Sequence, residues 1–488
     1  MKMTRNDLRL EAGGALAPPL PRAHGVSRRE VAEVLPRLAE VAPALLAPGA
    51  EAGFLQLPRR RAALRAVLEA AAKLRRGVDD VVHLGIGGSS LGAETLLRAL
   101  AHPHHNLLSP RRRRAPRVHF VDNTDGDTLA GLLDCLDLRR TLLHVVSKSG
   151  GTVETAAAFA VLREAFARRR INWRNRCVFT TGESGALREL AAAEGVLCLD
   201  FPEDVGGRWS ALTPSGLLTP ALAGVDVAAV VAGARRFAAR VEAAPLRENP
   251  AAIAAAIAWL LAERRGKTIH AFMPYADGLE ALSRWFVQLC GESLGKPRPA
   301  SSSGNIGGGI APHGPSESGG GRDGLTARAE FAGGVGPTPL PARGATDQHS
   351  QMQLFAEGPA DKLVIFVAVG RPRQRLALPG GPPADWLRSI EMSDLLRAER
   401  EGSAFALARA GRPTLTWELP ALTPAALGQL LTALEVQTAC QAALYGINAY
   451  DQPGVEAGKA QAFARLGRPG YDLQRREAAA HQPPDWKI

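Results

Sequence analysis

The feature that most constrains this chain is a regular alternation of short apolar runs and amphipathic stretches that begins near residue 80. Apolar runs occupy residues 81–84, 118–121, 142–146, 177–180 and 196–199, and helix-period segments open near Leu91, Asp127 and Thr152. Short runs that are apolar on both faces are strands covered on both sides, and strands that alternate with helices imply βαβ units and a parallel sheet. Residues 206–224, rich in Gly, Pro and Ser, read as a loop. A second alternation follows: a helix at 250–264, a strand at 268–273, a helix ending near Glu292, strands at 363–369 and 414–419, and a long helix at 424–445. The expectation is an α/β protein with two doubly wound parallel-sheet domains. Residues 1–75 form an N-terminal helical segment that packs against the first domain, its helical pattern clearest at 28–46 and 60–73. The first domain spans 76–240, the second 241–450, and a C-terminal segment 451–488. Residues 299–337 hold runs of Ser and Gly with few apolar side chains, which predicts a flexible insertion in the second domain.

Composition narrows the classes. At 488 residues the chain exceeds one ordinary core, so two or more domains are expected. The longest apolar run, 251–262, is too short for a membrane span. The N-terminus lacks the apolar region of a secretory signal, so a cytoplasmic protein that does not bind membranes is expected. Five scattered cysteines form no Cys-x-x-Cys or Cys/His cluster, so neither a disulfide framework nor a metal site is predicted. Net charge is +11, with Arg clusters at 59–61, 111–114 and 168–170. No aromatic residues are interleaved with them to stack bases, so nucleic-acid binding is not expected, and the positive field suits a small anionic substrate.

Several loops carry chemistry. Gly85-Ile86-Gly87-Gly88-Ser89-Ser90 follows a strand and opens a helix, where glycines admit a ligand to the backbone and the helix N-terminus attracts anions. A purely structural glycine turn fits that segment equally well. Ser147-Lys148-Ser149-Gly150-Gly151-Thr152 has the same setting, with three hydroxyls and a Lys where a simple N-cap needs one hydroxyl. Two such loops after parallel strands can face one crevice and hold a phosphorylated small molecule. In Gly206-Gly207-Arg208, Arg208 is either an oxyanion stabiliser or part of a surface turn. Glu292 continues the apolar stripe Leu282, Trp285, Phe286 and Leu289, the desolvated setting of a general base. On spacing alone, a fraying helix end with Glu292 paired to Lys296 is the commoner arrangement. His349 stands in the polar loop Gly344-Ala345-Thr346-Asp347-Gln348-His349, and Lys459 ends Gln452-Pro453-Gly454-Val455-Glu456-Ala457-Gly458-Lys459.

Together, and in this order, these segments resemble the glucose-6-phosphate isomerase (phosphoglucose isomerase) family, which is built from two sugar-isomerase (SIS) domains. The resemblance runs from about residue 80 to residue 465. It implies reversible aldose–ketose isomerisation of glucose 6-phosphate and fructose 6-phosphate in glycolysis and gluconeogenesis, with no metal or other cofactor. Glu292 is then the base that moves a proton between C2 and C1 through a cis-enediolate. Arg208 stabilises the enediolate, and His349 and Lys459 serve ring opening. Gly88, Ser89, Ser147, Lys148, Ser149, Thr152 and Gln452 hold the sugar phosphate. The family also implies a homodimer in which His349 reaches the neighbouring subunit's site. The insertion, the Gly150-Gly151 pair and Trp209 in place of Tyr or Phe depart from the usual family pattern without removing a catalytic residue. Rival readings are an isomerase that also accepts mannose 6-phosphate, a non-catalytic sugar-phosphate sensor, and an NAD-dependent dehydrogenase, the last weakened by Ser90 in the third glycine position of the dinucleotide fingerprint.

Overall fold

The structure, a computed structural model, describes residues 7–46, 52–243, 245–298 and 333–480. Among these, strand β1 (Arg9–Glu11) precedes β2 (Asp80–Leu84), β3 (Arg117–Val121), β4 (Thr141–Ser147), β5 (Cys177–Thr181) and β6 (Leu197–Asp200). They are followed by β7 (Ile269–Pro274), β8 (Lys296–Pro297), β9 (Gly334–Val335), β10 (Thr338–Pro341), β11 (Lys362–Arg371) and β12 (Thr414–Ala421). The first sheet has the order β3-β2-β4-β5-β6, with every pair parallel. Its three central strands are buried along their whole lengths, as expected of strands covered on both faces, although His83 and His144 interrupt the apolar runs of β2 and β4. The helix Val153–Arg168 packs on it, with Phe159 set edge-on to both Trp173 and Phe179.

The second sheet has the order β1-β12-β11-β7-β10 and repeats the same winding. Its pairs are parallel except at the edge, where β1 runs antiparallel to β12. The N-terminal segment is therefore not wholly helical: it gives the second sheet a strand, and its helix Arg28–Leu46 packs on Pro250–Arg265 and Pro424–Tyr445. Its helix Arg61–Leu74 lies against a first-domain helix, Pro214–Leu222, and the short turn Leu57–Arg59 lies against another, Val227–Ala243. A three-residue edge strand falls below what periodicity detects.

Residues 206–224 are also not all loop. Pro214–Leu222 is a helix buried at every position, started by Thr213, whose side chain accepts the N–H of Ser215, and by Pro214 in the first turn. Of the expected insertion, residues 299–332 lie outside the described residues. Residues 334–335 are strand β9, antiparallel to β8, and so belong to the ordered fold.

Residues up to Ala449, with both sheets, form one compact unit, and those from Tyr450 onward form a second. The second contains helices Glu456–Arg465 and Asp472–Ala480, with the Arg468 guanidinium 4.5 Å above the Phe463 ring.

Candidate active site

In the first sheet, β2 and β4 are neighbours although β3 separates them in sequence. The winding reverses between them, so their C-terminal loops flank the crevice where doubly wound sheets take ligands. These loops are residues 85–90 and 147–152, the two predicted from their glycines and hydroxyls. Neither helix they open, Leu91–Leu100 or Val153–Arg168, is capped by a side chain, so the first-turn amides are not taken up by an N-cap. Thr152 is thus no ordinary cap: its hydroxyl lies 2.9 Å from Ser147 Oγ. Ser149 Oγ accepts the Gly151 N–H at 3.3 Å. Gly150 turns with φ +67°, where a side chain would be strained. Lys148 is differently employed. Its ammonium donates to the carbonyls of Glu203 (2.7 Å) and Val205 (3.0 Å), bracing the segment that leads to Arg208.

That segment meets the first loop backbone to backbone. A Cβ on Gly88 would lie 2.1 Å from the Gly207 carbonyl carbon, so only glycine permits the approach. Ser210 Oγ donates to Gly88 O at 2.9 Å. Below it, Trp209 is fully buried against Phe54. Asp204 accepts Arg60 Nη1 at 2.9 Å, and that guanidinium draws its carboxyl below the usual range.

Arg208 is not part of a surface turn: it is 2% exposed. Its Nε donates to Ser293 Oγ (2.8 Å), its Nη1 to Glu292 Oε2 (3.2 Å) and its Nη2 to the Ala449 carbonyl (2.5 Å). Glu292 stands in the last turn of helix Glu280–Leu294, at the rim of the apolar stripe, with 28% of its side chain accessible. Gln288 Nε2 donates to its other oxygen at 3.1 Å and also lies beside Gly87. The Lys296 pairing weighed from spacing does not form with the carboxylate. Lys296 Nζ instead donates to the backbone carbonyls of Glu292 (2.8 Å), Ser293 (3.0 Å) and Asn448 (3.0 Å), closing the helix C-terminus.

Gly88, Arg208 and Glu292 thus converge, and the crevice sets Ser89 and the Ser147–Thr152 loop beside them. Gln288 and Ser293, which hold the pair, were not singled out in the sequence. Their signal was position: one turn before Glu292, and next to it. His349 is exposed at the end of a short turn after β10, and its ring makes no hydrogen bond or ion pair among the described residues. The turn is tied down by its neighbours, with Tyr275 OH donating to Gln348 Oε1 at 2.8 Å. Gln452 and Lys459 belong to the C-terminal unit, where Lys459 Nζ pairs with Glu456 at 2.9 Å.

A separate cavity of about 440 Å³ lies at the second sheet, lined in part by Tyr275, Gly370, Arg373 and Arg400, and contains none of the predicted site residues. Arg373 is bound to backbone carbonyls and Arg400 to Glu401, so charge does not mark it as a site. Among the described residues no cluster of His, Cys, Asp or Glu could hold a metal ion, and no helix is long and apolar enough to cross a membrane.

The paired windings define a doubly wound α/β protein with two mainly parallel sheets. The phosphoglucose isomerase family model matches residues 69–306 and 400–474. The glucose-6-phosphate isomerase of Rubrobacter xylanophilus is 43% identical over 92% of this chain and 96% of its own length. That of Carboxydothermus hydrogenoformans is 39% identical over 88% and 87%. Among solved structures, a hypothetical protein of Thermus thermophilus is 35% identical and superposes with a TM-score of 0.78 over 94% of this chain and 99% of that one. A glucose-6-phosphate isomerase from Chlamydia trachomatis, 24% identical, shares the fold with a TM-score of 0.70 over 88% and 78%. The chain belongs to the phosphoglucose isomerase family.

Proposed function

We propose that this protein interconverts glucose 6-phosphate and fructose 6-phosphate. The observation that carries the reading is the Glu292–Arg208 pair at 3.2 Å, with Arg208 following the Gly207 that packs on Gly88 of the first crevice loop. A carboxylate held against a fixed guanidinium supplies both a proton acceptor and a partner for the oxyanion that its action creates. On open-chain glucose 6-phosphate, Glu292 removes the C2 proton and the electrons pass to the C1 carbonyl oxygen. The resulting cis-enediolate is neutralised by Arg208. Return of the proton to C1, with the O2 proton passing to O1, leaves the C2 ketone of fructose 6-phosphate. His349 and Lys459 move the protons of ring opening. Gly88, Ser89, Ser147, Ser149, Thr152 and Gln452 bind the phosphate and sugar, and Lys148 adds positive charge while bracing residues 203–205.

The working form is a cytoplasmic homodimer in which His349 serves the neighbouring subunit's site. Its exposed, unbonded ring supports this. So do Leu354, Leu376, Trp386, Met392 and Phe405, apolar side chains left exposed in the part of the chain that follows it.

The test is conversion of fructose 6-phosphate to glucose 6-phosphate by purified protein, with Glu292→Gln alongside. We expect wild-type turnover and a loss of about 10²- to 10⁴-fold in the variant. Equal activity in both would remove Glu292 as the base. No turnover by folded wild type would remove the reaction and favour a sensor.

A further inference from the structure

Beneath the phosphate crevice lies a buried polar chain that the mechanism above does not use. His83 on β2 and His144 on β4 stand side by side in register, both fully buried. His83 Nε2 is 2.7 Å from the Ser89 carbonyl oxygen, and its Nδ1 is 2.9 Å from Thr219 Oγ1. His144 Nδ1 is 2.8 Å from the same Thr219 Oγ1, and its Nε2 is 2.9 Å from Thr180 Oγ1 on β5. Donor counting fixes the direction. A carbonyl only accepts, so His83 Nε2 carries hydrogen, and neutral His83 must accept at Nδ1. The single Thr219 hydroxyl hydrogen is spent there, so Thr219 accepts from His144 Nδ1–H. His144 Nε2 is then left to accept from Thr180. The result is a one-way series, Thr180 to His144 to Thr219 to His83 to Ser89 O. Each bond polarises the next in the buried interior.

The chain ties together parts that must hold their places. β2 and β4 carry the two phosphate loops, and Thr219 sits in the helix that follows the Arg208 turn. Ser89 belongs to the loop whose Gly88 abuts Gly207. We propose that His83, His144, Thr219 and Thr180 are positioning residues that pin the Ser89 carbonyl and so set the phosphate loop against the Arg208 turn. This rests on the reading of that crevice as the sugar-phosphate site.

The test measures inorganic-phosphate affinity by titration calorimetry, together with KM and kcat for fructose 6-phosphate, in His83→Phe, His83→Gln and Thr219→Val. Loss of the buried bond in His83→Phe and Thr219→Val should weaken phosphate binding and raise KM about tenfold, with a smaller change in kcat. Gln, whose amide donates at the reach of Nε2, should restore much of both. A lowered thermal midpoint with unchanged phosphate affinity and KM would make the chain merely structural and overturn the proposal. If His83→Phe does not fold, Thr219→Val, close to Thr in shape, carries the same test. Phosphate affinity that shifts in a protein that does not turn over fructose 6-phosphate would sustain the positioning role and refute the assigned reaction.

Discussion

Arg208 shows how much one side chain can organise. Its planar fork reaches a hydroxyl, a carboxylate and a carbonyl at once, on Ser293, Glu292 and Ala449. A lysine offers a point charge on a flexible stem and cannot hold those three directions together. Arg208→Lys should therefore lower kcat by about 10²-fold, as removal of a single oxyanion donor does. Steady-state kinetics checks this; a rise in KM with kcat unchanged would mean that Arg208 only binds substrate. The sequence placed Arg208 between glycines and Trp209 but left its burial open, because a Gly-Gly-Arg turn reads alike on a surface and in a core. Glu292 was legible as a carboxylate on an apolar stripe. Its partner was not, because Arg208 precedes it by 84 residues and only folding brings the two together.

At the scale of elements, glycine decides where backbones touch. Helices Val227–Ala243 and Pro424–Tyr445 cross so closely that a Cβ on Gly428 would lie 2.0 Å from the Val230 carbonyl oxygen. The longer helix is buried from Ala426 to Tyr445, so it has little freedom to shift. Gly428→Ala would gain up to about 1 kcal/mol in helix propensity but lose about 1–3 kcal/mol to overpacking. The net expectation is a lower urea midpoint with an unchanged m-value; a higher midpoint would show that the crossing relaxes freely. Gly88 makes the corresponding contact at the site, against Gly207. Most strands and many helices were legible because their apolar periodicity is local, but helices Val227–Ala243 and Met392–Arg409 and strand β10 were not read from the sequence. Nor was β1: it is three residues long, and its place is set by β12, near the other end of the chain.

For the whole molecule, acid stability follows from buried neutral histidines. Burial lowers His83 to about 4 and His270 to about 3, and takes His144 well below the ordinary 6.5. The unfolded chain then binds these protons more readily than the folded one, so their contribution is complete above pH 6.5. It declines as pH falls toward the folded values, by up to about 4 kcal/mol per pH unit when all three differ. Asp80 acts lower down. Burial opposes its charge, but His119 and the Arg117 fork outweigh that and hold its carboxyl below 3.8, so its contribution is lost only as pH falls through that range. Urea midpoints measured between pH 8 and 4 should fall from about pH 6.5; a flat profile to pH 5 would contradict the burial of these rings. The proposed dimer has its own test. If His349 crosses the interface, mixing and co-refolding Glu292→Gln with His349→Ala restores one intact site per mixed dimer. If His349 acts within its own subunit, both sites of every mixed dimer stay impaired and no activity returns.

The sequence by itself determined the α/β class, the two mainly parallel sheets and the glycine- and hydroxyl-rich loops that follow β2 and β4, because apolar alternation, glycine at loop starts and hydroxyls before helices act over a few residues. Tertiary structure alone decided that Arg208 faces Glu292, that Lys148 and Lys296 bind backbone carbonyls, and that the N-terminus lends a strand to the second sheet. It also placed two buried histidines beneath the phosphate loop. Each of these depends on which distant segments meet and on which polar groups burial leaves in need of a partner, and neither is written in local sequence.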